Sequence, residues 1–145
     1  MLSPKKDEEY ISILLQQQEG ENLDFKQSIN SSEKIAKTLS AFANTSGGQI
    51  VIGISDQKQV LGIDEYEEMF MIEKAAQEYC VPPVKVDYKL YAHDLYDEGK
   101  EQFEEKNILI VKIQKSTVVH SVKKSSGQII PYIRVRDKTL PHIQD

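Results

Sequence analysis

The stretch from residue 30 to residue 54 constrains this chain most. Ile35, Leu39, Phe42 and Ala43 recur at the i, i+4, i+7, i+8 spacing of an amphipathic helix, and Asn30 or Ser31 supplies an N-cap oxygen just ahead of it. Ser46-Gly47-Gly48 ends the helix, because glycine tolerates the left-handed conformation at a helix C-terminus. Residues 49–54 then read as a β-branched buried strand. A helix, a glycine turn and a core strand therefore form one unit, and the rest of the chain must pack around it.

Around this unit the periodicity is readable. Tyr10, Ile11, Leu14 and Leu15 recur at helical spacing within residues 4–18, with Asp7, Glu8 and Glu9 at the positive end of the helix dipole. Residues 22–26 read as a short strand and residues 60–63 as another. Asp64 with Glu67 starts a third helix that ends near Cys80, and Pro82-Pro83 stops it. Residues 84–90 alternate apolar with polar as a half-exposed strand does, and an acidic connection containing Gly99 follows. Residues 108–113, 118–122 and 129–135 read as three further strands, the last two joined by a turn at Ser125-Ser126-Gly127. Helices first and a run of strands after them predict a single α+β domain: about three helices packed on one mainly antiparallel sheet. At 145 residues such a domain buries about 70% of the surface of its unfolded chain and needs no staple to fold.

Charge and cysteine content narrow the function classes. Cys80 is the single cysteine, so neither an internal disulfide nor a cysteine-rich zinc site can form, as in a reducing compartment. His93, His120 and His142 have no metal-ligand spacing. No apolar run reaches the ~20 residues of a membrane span, and nothing at the start reads as a secretory signal, so the expected location is the cytoplasm. The net charge of -5 hides a split: residues 107–145 carry seven Lys or Arg against two Asp or Glu, and residues 1–106 carry 11 against 21. The basic end suits phosphate contacts, which supply most non-specific affinity for nucleic acid.

Four segments carry a family resemblance. Residues 19–26 read Glu-Gly-Glu-Asn-Leu-Asp-Phe-Lys, and residues 41–48 read Ala-Phe-Ala-Asn-Thr-Ser-Gly-Gly. The strand at 49–54 is followed by Asp56 and Val60-Leu61-Gly62, and the tail holds Tyr132-Ile133-Arg134-Val135 with Thr139 and Pro141. In order and spacing these resemble the Schlafen AlbA-like domain family, associated with DNA binding in bacterial regulators. Two positions depart from its pattern: Asp24 stands where the family usually has Glu, and Arg136 where Gly is common. A Cβ there resists the φ values glycine permits and is expected to reshape the turn.

The resemblance implies a nucleic-acid-binding domain, for DNA or RNA, in a regulatory role. Its candidate contacts are Lys26, Lys112, Lys123, Tyr132, Arg134, Arg136 and Lys138, with Lys115 and Lys124 close by. Alternation puts Tyr132, Arg134 and Arg136 on one face, a ring for base stacking beside two guanidiniums. The competing reading pairs Arg134 with an acidic residue such as Asp24 or Asp56. An alternative function is a metal-dependent endoribonuclease, in which Glu19, Asp24 and Asp56 hold Mg²⁺ or Mn²⁺ and the metal activates water. A further alternative is a protein-interaction or sensory module. One lobe of this kind is expected to work as a homodimer, since two lobes enclose the groove in Schlafens that cut RNA. ATP is not expected, because Ile54 occupies the lysine position after the Gly48 to Gly53 interval.

Overall fold

A computed structural model describes residues 2–142. Helix α1 (Glu8–Gln16) starts where Asp7 Oδ1 accepts the Tyr10 N–H, and it buries Ile11 and Leu14. Strand β1 (Leu23–Lys26) leads to α2 (Ser32–Asn44), capped by Ser31, whose Oγ accepts the Lys34 N–H at 3.2 Å. The inward positions expected from periodicity are all buried. So are Ala36, Thr38, Ser40 and Ala41, and α2 is covered well beyond one face.

The glycine pair does two different jobs. Gly47 has φ +72° and donates its N–H to the Phe42 carbonyl at 2.7 Å, closing the helix. Gly48 opens β2 (Gly48–Ile52) so near β1 that a Cβ would lie 2.8 Å from the Asn22 carbonyl oxygen. That approach lets β2 run parallel to β1, with Asp24 beside Ile50.

Asp64 caps α3 (Glu65–Lys74), accepting the N–H groups of Tyr66 and Glu67, and a π-helical turn, Ala75–Tyr79, carries the chain into β3 (Cys80–Val81). Strands β4 (Val86–Asp97), β5 (Gln102–Ile113), β6 (Ser121–Lys123), β7 (Ile129–Val135) and β8 (Lys138–Pro141) complete the fold. The architecture is α+β, as the sequence predicts, but the strands form two sheets instead of one. Their orders are β1-β2-β5-β4 and β3-β6-β7-β8, antiparallel except for β1 with β2.

Helix α2 lies between the two sheets. Its core joins Ile50, Ile52, Leu109, Val111 and Ile113 of the first sheet to Val122 and Tyr132 of the second. Small residues, Ala36, Ser40, Ala41 and Ala43, allow the approach from both sides. Helix α1 covers the other face of the first sheet, on Phe25, Val51, Tyr91, Ile108 and Ile110.

Three local expectations change. Residues 60–63 are not a strand: after one bridge between Ile54 and Val60, Gly62 at φ +80° turns the chain away. Of residues 118–122 only the end pairs, in β6, and Val118 and Val119 are exposed. The acidic connection is ordered as the end of a long β4–β5 hairpin, paired out to Asp97 and Gln102. Among the described residues no helix is long and apolar enough to cross a membrane.

Candidate nucleic-acid interface

The node joining the two sheets is an ion pair. Asp24 in β1 and Arg134 in β7 are both buried, with Nη2 of the arginine 3.2 Å from Oδ1 of the aspartate. Arg134 also donates from Nε to the Gly20 carbonyl at 3.0 Å and from Nη1 to Thr139 Oγ1 at 3.1 Å. Its guanidinium lies 4.9 Å from the centre of the Phe42 ring, and its backbone N–H donates to Thr45 Oγ1. One side chain thus ties the loop before β1, the end of α2 and strand β8 together. Of the competing sequence readings, the structure adopts the Asp24 pair.

This placement corrects the expectation of a contact strand. Tyr132 and Arg134 do share a face of β7, but it is the inward one, each 5% exposed, and Lys37 Nζ sits 5.5 Å over the Tyr132 ring. The face is turned inward because it packs on α2, which the linear alternation of β7 cannot reveal. Arg136 is not on that face. It lies exposed in the β7–β8 turn with φ +55°, so the turn keeps a glycine-like conformation despite the Cβ.

The carboxylates are arranged unevenly. Glu19 Oε2 accepts the Phe25 N–H at 2.9 Å. Its carboxyl is held above the usual carboxylate range, first by the neighbouring Asp24 carboxyl and then by partial burial. Lys26 Nζ stands 3.2 Å from Asp24 Oδ2, an ion-pair distance without hydrogen-bond geometry, since that buried oxygen has no hydrogen-bond partner. Asp56 is exposed in the turn after β2, which starts where Gly53 and Ile54 donate to the Lys26 carbonyl. Among the described residues no three His, Cys, Asp or Glu side chains gather as a metal would require. With Asp24 already matched by two cations, the donor set does not fit Mg²⁺ or Mn²⁺.

The remaining sequence-derived cations are dispersed. By alternation with Ile108 and Ile110, Lys112 lies on the α1 side of the first sheet. Lys123 and Lys138 point outward from the second sheet. Only Lys26 borders a basic groove. It opens beside the N-terminus of α2, has a volume of about 340 Å³, and is lined by Lys26, Ser28, Asn30, Ser31, Lys34 and Thr38 among others. Ser31 caps the helix there, and Ser28 Oγ donates to Asn30 Oδ1. Lys34 was missed in the sequence reading. Its signal is its place three residues after the cap, where an exposed side chain on the first turn lies beside whatever meets the helix end.

Asn44 has a role the motif alone does not show. Its Nδ2 donates to the carbonyls of His120 and Tyr132, each at 2.8 Å, and its Oδ1 accepts the His120 N–H. His120 is buried, with Nδ1 2.7 Å from the Pro82 carbonyl, so it is a packing histidine.

With this geometry in view, comparison with known proteins identifies the family. Residues 19–142 match the family model described as Schlafen, AlbA_2, and the chain belongs to that family. No curated protein matches it. Among solved structures it is similar to the crystal structure of the DIP2311 protein from Corynebacterium diphtheriae, at 16% identity and a TM-score of 0.47 over 84% of this chain. The chain spans 22% of the length of that protein. Family membership associates the domain with nucleic acid or regulation.

Proposed function

We propose that this domain binds nucleic acid through the groove beside the N-terminus of α2. The observation that supports this reading is the meeting of Lys26 and Lys34 with Ser28, Asn30 and Ser31 at the positive end of a 13-residue helix. Lysines supply point charges for phosphate oxygens, and the hydroxyls, the amide and the free N–H groups of the first turn supply hydrogen bonds. Such contacts read the backbone and not the bases, so they serve DNA and RNA alike. Regulation by occupancy of a site is the corresponding role. A homodimer would set two grooves about a two-fold axis and lengthen the contacted backbone.

The test is a titration of labelled single-stranded RNA and double-stranded DNA at several salt concentrations, with the wild-type chain and with Lys26→Ala/Lys34→Ala. Binding of the wild type should weaken linearly in log–log form, and the double variant should lower the slope by about 1.5 to 2. Binding that ignores salt, or a double variant indistinguishable from wild type, would remove the groove from consideration.

A further inference from the structure

The register of the second sheet defines a face that nothing among the described residues covers. Cys80 pairs with Val122, and Tyr132 and Arg134 turn toward α2, so the alternate residues Val81, Ile129, Ile133, Val135 and Leu140 face outward. Ile129 is 57% exposed, Val135 44% and Leu140 41%. A groove of about 810 Å³, lined in part by Val119, Ile129, Pro131 and Ile133, opens on this side where Asn44 bridges the chain at His120 to Tyr132. Lys123 and Lys138 share the outward side through their pairing with Ile129 and Val135, and Arg136 adjoins them.

A second exposed feature has the opposite charge. β2 pairs with β5 only as far as Leu109, and beyond the part that α1 and Lys5 cover, residues 93–97 and 102–106 continue as a two-stranded arm with no buried residue. Tyr96 and Phe103 stand opposite each other on it, ring centres 5.2 Å apart, 50% and 69% exposed. Residues 93–106 carry six Asp or Glu against two Lys. An exposed aromatic pair in an acidic frame complements an apolar face with a basic rim.

We propose that two copies of this chain associate by seating the β4–β5 arm of one on the outer face of the second sheet of the other. Charge selects this pairing over the two symmetric ones. Face against face would bring Lys123, Lys138 and Arg136 against their own copies, and arm against arm would oppose two acidic ribbons. Each copy has one arm and one face, so reciprocal seating about a two-fold axis satisfies both. The inference specifies the surfaces of the homodimer expected above and does not depend on nucleic-acid binding.

Sedimentation velocity of the wild-type chain across roughly 1 to 100 µM tests it, since a specific contact of standard size falls in or below this range of Kd. Phe103→Glu on the arm and Ile133→Glu on the face should each weaken association at least ~10-fold, from the lost apolar burial and the added like charge. Phe103 is exposed and Ile133 half-buried, so Val135→Glu on the same face, 44% exposed, serves as the second face variant, and an unchanged thermal midpoint verifies folding. Mixing the two variants should restore a mixed dimer, because the intact arm of one meets the intact face of the other. Raised salt should weaken the wild-type dimer. A wild type that stays monomeric overturns the proposal. So does Phe103→Glu or Ile133→Glu associating like wild type, or a mixture that shows no rescue. Lys26→Ala/Lys34→Ala should dimerise normally, so loss of the groove reading and loss of this one are separately visible.

Discussion

Arg134→Met tests whether the ion pair at the junction of the sheets holds them together. The substitution keeps much of the apolar stem and removes the guanidinium. Asp24 then retains a buried carboxylate whose one remaining cation is Lys26, itself 41% exposed and 3.2 Å away. The Gly20 carbonyl and Thr139 Oγ1 lose the arginine donor at the same time, while the Leu23 carbonyl keeps the Gly20 N–H. Removing one member of a buried pair costs about 3–5 kcal/mol, mostly through the stranded charge. For a domain of this size that corresponds to a fall of roughly 10–15 °C in Tm. Asp24→Asn should cost less, because the arginine keeps its carbonyl and hydroxyl acceptors and the Phe42 ring. Combining the two should recover a large part of the Arg134→Met loss, since no charge is stranded. Urea unfolding of the three variants, followed by circular dichroism, measures this cycle. An Arg134→Met loss under about 1 kcal/mol, or a double variant at the sum of the singles, would refute the reasoning.

The other predictions concern neighbouring positions. Glu19→Gln should stabilise the fold at pH 7: the folded-state pKa is raised above 4.5, so wild-type Glu19 binds its proton more tightly when folded and loses stability as pH rises through that window. The advantage should vanish in urea titrations below the ordinary glutamate value of about 4.3. Asn44→Ala strands two carbonyls and one N–H and should cost about 3 kcal/mol, read from the urea midpoint with its slope unchanged. Arg136→Gly relieves a left-handed residue in the β7–β8 turn and should raise stability by about 0.5–1 kcal/mol in thermal unfolding; a loss would mean that the arginine side chain makes a compensating contact.

How much of the site was legible follows from the range of each interaction. Helical spacing and caps located α2, and Asp64 at the start of α3 was equally plain, because both rest on residues three or four apart. The acidic hairpin was not, since charged residues in an isolated two-stranded ribbon carry no buried face to produce alternation. Lys34 escaped because its value comes from Lys26, which reaches it only through the return of β1 beside the helix start. Tyr132 and Arg134 were placed correctly on one face and assigned to the wrong surroundings.

The sequence by itself determined the α+β class, the helix–glycine–strand unit and the family, because these depend on local conformational preference and on motifs contiguous in the chain. Only the tertiary structure decided that the strands divide into two sheets around α2, that Arg134 is spent on Asp24, and that Glu19, Asp24 and Asp56 do not converge. Asp24 and Arg134 are 110 positions apart. Nothing in either neighbourhood encodes their meeting; burial of a helix from both sides brings them together, and the low dielectric there makes the pair obligatory.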